Sequence, residues 1–240
     1  MNTEPDLASQ QTVRQPVPTY TEPMTDEPAR LYLLSPVIED ADAFAPRLVE
    51  ACRAGAVAAV LLRLGGADER TLVNRVKTLA PGAQEAGAAV LVSAPGEVDL
   101  AAVAARSGAD GVHLAGDLGS VRDLRERLRD GRILGVGTLR SRDDAMTAGE
   151  AGADYVMFGE PRPDGTLPSL EAVLDRASWW AEIFATPCVA HAPTLEAVHQ
   201  VAATGAEFVA VSDAVWATPG AEAAAVREAI AALAGSGAPA

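Results

Sequence analysis

Apolar residues gather in short runs along this chain, and between the runs they recur at helical spacing. Eight runs stand out: Leu31–Leu34, Val57–Leu62, Ala88–Val92, Gly111–Leu114, Ile133–Val136, Tyr155–Phe158, Cys188–Ala190 and Phe208–Val211. Each is short and nearly all apolar, the pattern of a strand buried on both faces. Helices are expected between them over 40–54, 68–86, 98–106, 119–129, 142–151, 169–184, 194–203 and 221–234. In the second of these, Leu72, Val76 and Leu79 recur at helical spacing, and Ser141 is placed to cap the fifth. Ser35-Pro36 is expected to stop the first strand, and 159–168 is an excursion before the sixth helix. One grammar repeats in Ser107–Asp117, Ala151–Glu160 and Thr204–Asp213: a helix ends in small residues, a buried strand follows, and a polar loop comes next.

Eight alternating β-α units predict a closed (β/α)8 TIM barrel. The competing topology, an open doubly wound sheet, usually has about five to seven strands and a Gly-x-Gly-x-x-Gly turn after the first. No such turn follows Leu31–Leu34. Residues 1–28 carry five prolines among scattered polar residues, too little apolar surface to offset the entropy of ordering, so a disordered tail is expected there. Residues 29–236 then form one barrel, and 237–240 a flexible end.

Composition narrows the function. The chain has 240 residues, a formal charge of −14 and a single lysine, Lys77. Phosphate neutralisation needs clustered Lys and Arg, so nucleic acid is not an expected partner. No apolar run is long enough to span a membrane and no signal-peptide core is seen, which points to the cytoplasm. Cys52 and Cys188 fit neither a metal spacing nor a disulfide framework and read as small core residues.

In a barrel of this kind the site lies at the C-terminal ends of the strands. The residues just beyond the runs are Ser35; Arg63 with Gly65 and Gly66; Ser93; Asp117; Thr138 and Arg140; Glu160 and Arg162; His191; and Ser212, Asp213 and Trp216. Such mixed charge suits a small polar organic ligand. His191, at a strand end, is a candidate general base. His113 is expected to pack between barrel and helix layer, and His199 to face solvent. Adjacent tryptophans cannot both face one core, so one of Trp179 and Trp180 is available for a contact between copies in a homo-oligomer.

Several segments resemble the thiamine phosphate synthase family and its thiazole tautomerase branch. Ala109–Leu114 (ADGVHL) is similar to the family's fourth strand. Gly152–Pro161 (GADYVMFGEP) is similar to its Gly-Ala-Asp-Tyr-x-x-x-Gly-Pro segment, Thr204–Val215 to its last strand and Leu31-Tyr32-Leu33 to its first. The resemblance implies a barrel that joins a pyrimidine diphosphate to a thiazole phosphate with magnesium (Mg2+), releasing diphosphate. On the family's pattern Arg63 is the surviving diphosphate contact of a Gln-x-Arg-x-Lys stretch, and Asp117 stands for a metal aspartate. Arg140, Glu160, Arg162, Ser212 and Asp213 become substrate-binding candidates, with Arg63 and His191 as catalytic ones.

The departures are as informative. The family's Asn-Asp-Arg falls on Ser93-Ala94-Pro95, its strand-five serine on Gly137, and its Gly-Gly phosphate turn on Ala192-Pro193, where proline lacks a donor. The phosphate-holding serine falls on Ser212 or Asp213. Two classes of function remain open. One is a transferase of the family's type with an altered site; the other is a non-catalytic barrel that binds a different small molecule or a protein partner.

Overall fold

A computed structural model describes residues 28–129, 131–162 and 165–235. The expected tail and C-terminal end fall almost wholly outside these residues. Eight parallel strands close into one barrel in chain order: β1 (Arg30–Ile38), β2 (Val57–Leu64), β3 (Ala89–Ser93), β4 (Gly111–Ala115), β5 (Ile133–Gly137), β6 (Tyr155–Phe158), β7 (Cys188–Ala192) and β8 (Phe208–Val211). The ring closes where Leu31 pairs with Val209 and Leu33 with Val211. The barrel expectation is met.

The helices between strands are α1 (Ala41–Arg53), α2 (Glu69–Glu85), α3 (Leu100–Ser107), α4 (Val121–Arg127), α5 (Arg142–Glu150), α6 (Leu170–Ile183) and α7 (Val198–Ala202); α8 (Asp213–Trp216) and α9 (Glu222–Gly235) follow β8. Their starts follow from local chemistry. Asp40, Asp68, Asp99, Ser141 and Ser169 each accept, through the side chain, a backbone N–H three residues on, satisfying a donor the helix itself leaves free. At Ser141 the cap is reciprocal, because Asp144 accepts the Ser141 N–H in return.

Alternation along each strand sorts side chains into two layers. Leu31 and Leu33 of β1, and Val60, Leu62 and Leu64 of β2, pack outward against the helices. Their neighbours Tyr32, Leu34, Ala59 and Leu61 point into the barrel, where they meet Leu91, Tyr155, Met157, Val189 and Ala210. The interior is therefore a packed apolar floor rather than a pore. No helix of the described residues is long and apolar enough to cross a membrane.

Three elements differ from expectation. β1 does not stop at Ser35-Pro36 but runs on to Ile38, with a register shift against β2 between Leu34 and Val37. Pro36 has no N–H to give the ladder, and the Ser35 hydroxyl instead accepts the Arg63 N–H at 2.9 Å. The seventh helix shrinks to Val198–Ala202, because 194–197 form tight turns in which Ala197 and Val198 bond back three residues. α8 was not expected at all; it fills what reads in sequence as a loop.

Candidate ligand site at the barrel mouth

The barrel brings polar side chains together from β1, β2, β4, β6 and β7 and from the loops after β5, β6 and β8. On the β4–β6 side they form one continuous chain of hydrogen bonds. The Tyr32 and Tyr155 hydroxyls lie 2.9 Å apart, and the Tyr155 hydroxyl is 2.8 Å from His113 Nδ1. His113 Nε2 is 3.1 Å from Glu160 Oε2, and the Thr138 hydroxyl donates to Glu160 Oε1 at 2.7 Å. His113 therefore points into the barrel, not between barrel and helices as its sequence suggested. It pairs in register with Gly135, on the inward face of β5.

Local backbone makes room for this chain. A Cβ on Gly135 would stand 2.0 Å from the Tyr155 ring, and one on Gly137 would stand 2.0 Å from Glu160 Oε1 and 2.6 Å from His113 Nε2. The next residue, Thr138, has φ of 54°, the only non-glycine residue with positive φ among those described. A β-branched residue there is strained. The strain aims both the hydroxyl and the N–H of Thr138 at the Glu160 carboxylate.

Charge follows from these contacts. Burial works to raise the Glu160 carboxyl, but the charge and hydrogen bond of His113 and both Thr138 donors prevail, holding it below the ordinary carboxylate range. It is ionised at neutral pH, and an ionised carboxylate only accepts, so His113 Nε2 carries a proton. Burial pushes both phenols up, Tyr155 well above its ordinary value, so each keeps its proton.

A second group lies across the mouth. His191 Nε2 is 2.8 Å from the Ser212 hydroxyl, and both residues are buried. Burial lowers the His191 ring to about 4, with Arg63 acting in the same direction against the charges of Glu160 and Asp213 and a hydrogen bond to the Gly159 backbone. The ring is neutral at pH 7, and Nε2 accepts the Ser212 proton. Arg63 is anchored to Ser35, donating its Nε–H to the carbonyl at 2.6 Å. Burial lowers its pKa against the charges of Asp213 and Glu160, yet a guanidinium stays charged.

The structure thus brings Arg63, Glu160, His191 and Ser212 into the mouth, with Asp213 exposed at its rim. It does not bring in Arg140 or Arg162. Both are exposed on loops: the Arg140 backbone serves the Ser141 cap, and Arg162 bonds to Thr166. Asp117 is also exposed and accepts the Ser120 hydroxyl at 2.5 Å. Among the described residues no group of three or more His, Cys, Asp or Glu side chains could hold a metal ion. A lone exposed carboxylate does not fit a protein-held magnesium, and Ser93 and Ala94 offer no second one. Trp216, a candidate from its position after β8, is instead buried, donating its indole N–H to the Leu34 carbonyl at 2.7 Å. Tyr32 and Tyr155 were not singled out from sequence. Their signal was the alternation that sets them in phase with Leu34 and Met157.

Comparison with known proteins adds lineage. Residues 31–215 match the family model for thiamine monophosphate synthase. The thiamine-phosphate synthase of Rhodospirillum centenum is 40% identical over 198 residues, covering 82% of this chain and 92% of the relative. That of Erythrobacter litoralis is 38% identical over 202 residues, covering 80% and 90%. Among solved structures, a thiamine phosphate pyrophosphorylase from Pyrococcus furiosus superposes with a TM-score of 0.68 at 23% identity, over 86% of this chain and 96% of that one. A 3-hexulose-6-phosphate synthase superposes at 0.62 and 18% identity, over 84% and 98%. At those identities the structures speak for the fold alone.

Proposed function

Because the chain belongs to the thiamine monophosphate synthase family, we propose that its mouth binds a small organic anion of thiamine biosynthesis, and that magnesium-assisted coupling is not its task. Arg63 is the cation that would take the anionic group. The observation that carries this reading is Glu160, an ionised carboxylate buried just beyond the end of β6. The family's coupling brings a diphosphate and a phosphate together, and their charge must be absorbed by cations and donors. Here the two substrates would meet one arginine, a fixed carboxylate, and a neutral His191–Ser212 pair. A phosphate charge brought near Glu160 is opposed by the carboxylate, offset only as far as the His113 ring beside it at 3.1 Å carries charge. Ser212 still has a hydroxyl for an anion, but its proton is committed to His191.

The cytoplasm is the setting we assign, in keeping with two free, buried cysteines, Cys52 and Cys188. A second reading is a transferase that still couples, with magnesium carried in by the diphosphate. It is favoured by the 40% identity to a protein named thiamine-phosphate synthase over nearly all of that protein's length.

A coupling assay separates the two. The protein is mixed with pyrimidine diphosphate, thiazole phosphate and magnesium, and thiamine phosphate is followed by fluorescence after oxidation. The expected outcome is no product, while thiazole phosphate alone raises the melting temperature and Arg63→Ala cancels that rise. Product that vanishes in Arg63→Ala would establish the transferase instead.

A further inference from the structure

β1 carries one residue more than the stretch of β2 beside it. Leu34 pairs with Leu61 and Val37 with Arg63, so Ser35 and Pro36 together stand against Leu62 alone. The extra residue makes a β-bulge, and its polar groups go to one neighbour. The Ser35 hydroxyl accepts the Arg63 backbone N–H at 2.9 Å and donates to the Pro36 carbonyl at 2.7 Å. The Ser35 carbonyl accepts the Arg63 Nε–H at 2.6 Å. Pro36 has no N–H with which to compete. Ser35 itself is fully buried.

Arg63 is therefore fixed at its backbone and at Nε, while the far end of its guanidinium is open. Neither Nη has a hydrogen bond or an ion pair to any described residue, and neither is sealed from solvent. Alternation places Arg63 on the inward face of β2 with Ala59 and Leu61, at the strand's C-terminal end. The two Nη groups form a fork whose N–H bonds match two oxygens of one oxyanion. A free arginine loses rotamer freedom when it takes a ligand, whereas one already tied at Nε has lost it beforehand.

We propose that Ser35 is a positioning residue: the bulge it forms with Pro36 presets Arg63, so that the Nη fork meets two oxygens of the ligand's anionic group. Bulges beside functional sites re-aim side chains in this way. The proposal rests on the reading of Arg63 as the cation that takes that group, and adds what holds it in place.

The test uses the full chain labelled with nitrogen-15. Arginine side-chain N–H resonances are followed while sulfate or thiazole phosphate is added, and Arg63→Lys identifies the Arg63 signals by their loss. The Arg63 Nε–H should be visible and slow to exchange before any anion is present. Either anion should then slow the Nη protons and leave the Nε–H in place. An Nε–H that appears only with anion bound would overturn the proposal, because the ligand would then be what orders the arginine. This measurement decides even if Ser35→Ala does not fold. Calorimetric titration with thiazole phosphate compares the variants. Ser35→Ala should bind about three- to tenfold more weakly, the scale of ordering one long side chain at the moment of binding, and its Arg63 Nε–H should exchange faster. Ser35→Thr keeps the hydroxyl and should recover both. A Ser35 that serves the fold alone would lower the melting temperature of Ser35→Ala and move neither readout; the proposal then fails while Arg63 keeps its ligand. Thiazole phosphate that does not bind, or binds Arg63→Lys undiminished, would overturn the reading of Arg63 and the proposal with it.

Discussion

At Gly137 a missing side chain decides whether the mouth can keep its carboxylate. The Cβ of Gly137→Ala would lie 2.0 Å from Glu160 Oε1, with His113 Nε2 at 2.6 Å behind it. Neither neighbour can give way without breaking the bond between them. Urea unfolding of Gly137→Ala should show a loss of about 1–3 kcal/mol, the usual scale for overpacking; an unchanged midpoint would mean that Glu160 is not anchored there. His191 makes a second residue-scale prediction. Its ring is lowered to about 4 in the fold, from an ordinary value of 6.5. Between those values the unfolded chain binds the proton and the fold does not, so stability is full above about pH 6.5 and falls as pH drops towards 4. The slope is at most about 1.4 kcal/mol per pH unit for one such group, and His191→Gln should flatten it in pH-dependent urea melts. Much at this scale was legible. Arg63, Glu160, His191 and Ser212 stand at or just beyond strand ends, and the barrel rule leads to them. Tyr32 and Tyr155 were not, because each sits inside an apolar run and looks like core. The side that His113 faces was misread because its inward neighbours, Gly111 and Ala115, are too small to declare which face is which.

Among the elements, α6 shows how a helix is fastened by one side chain. Trp180 is buried, stacked on Phe184 with ring centroids 4.1 Å apart and set edge-on to Phe158, and its N–H donates to the Thr186 carbonyl at 2.7 Å. Trp180→Ala leaves a cavity and an unpaired carbonyl. Calorimetry should record a loss of about 3–5 kcal/mol, against a much smaller one for Trp179→Ala, whose half-buried ring is covered by the Arg142 guanidinium at 4.7 Å. That the two tryptophans part company was readable from their adjacency. Strand positions were readable too, since each of the eight short apolar runs falls on a strand. The failures share one cause. Ser35-Pro36, the turns over 194–197, and α8 all depend on bonds to distant partners or on tight backbone turns, which neither apolar period nor capping pattern records.

For the molecule as a whole, the closure of β8 on β1 is braced from outside by a partly buried ion pair. Glu222 at the start of α9 is fully buried; it accepts from Arg47 of α1 and from the Gly220 N–H at 2.7 Å. Arg47 also donates to the Trp216 carbonyl at 2.6 Å, and Trp216 in turn bonds to Leu34 of β1. Arg47 is partly exposed and keeps its bond to the Trp216 carbonyl, so Glu222→Ala should cost about 1–3 kcal/mol, the scale of losing a charge-assisted hydrogen bond. Far-UV circular dichroism and tryptophan fluorescence should lose their signals together if the barrel unfolds as one unit. Helix α9 was expected from sequence, but this role for Glu222 was not, because its partner lies 175 residues earlier in the chain.

The row of hydroxyls and ring nitrogens from Tyr32 to Glu160 has a closed lower end. Among the described residues the Tyr32 hydroxyl bonds only to Tyr155, and around it lie Leu34, Leu61 and Leu91. Such a row cannot conduct a proton through the barrel, because nothing below would receive it. It behaves instead as a dielectric: when charge appears beside Glu160, each O–H and N–H dipole can lean towards or away from it by a small displacement of its hydrogen. Through this row a barrel with an oily floor gains a polarisable lining, concentrated on the β4–β6 side, and the mouth can adjust to the charge of an occupant without moving a strand.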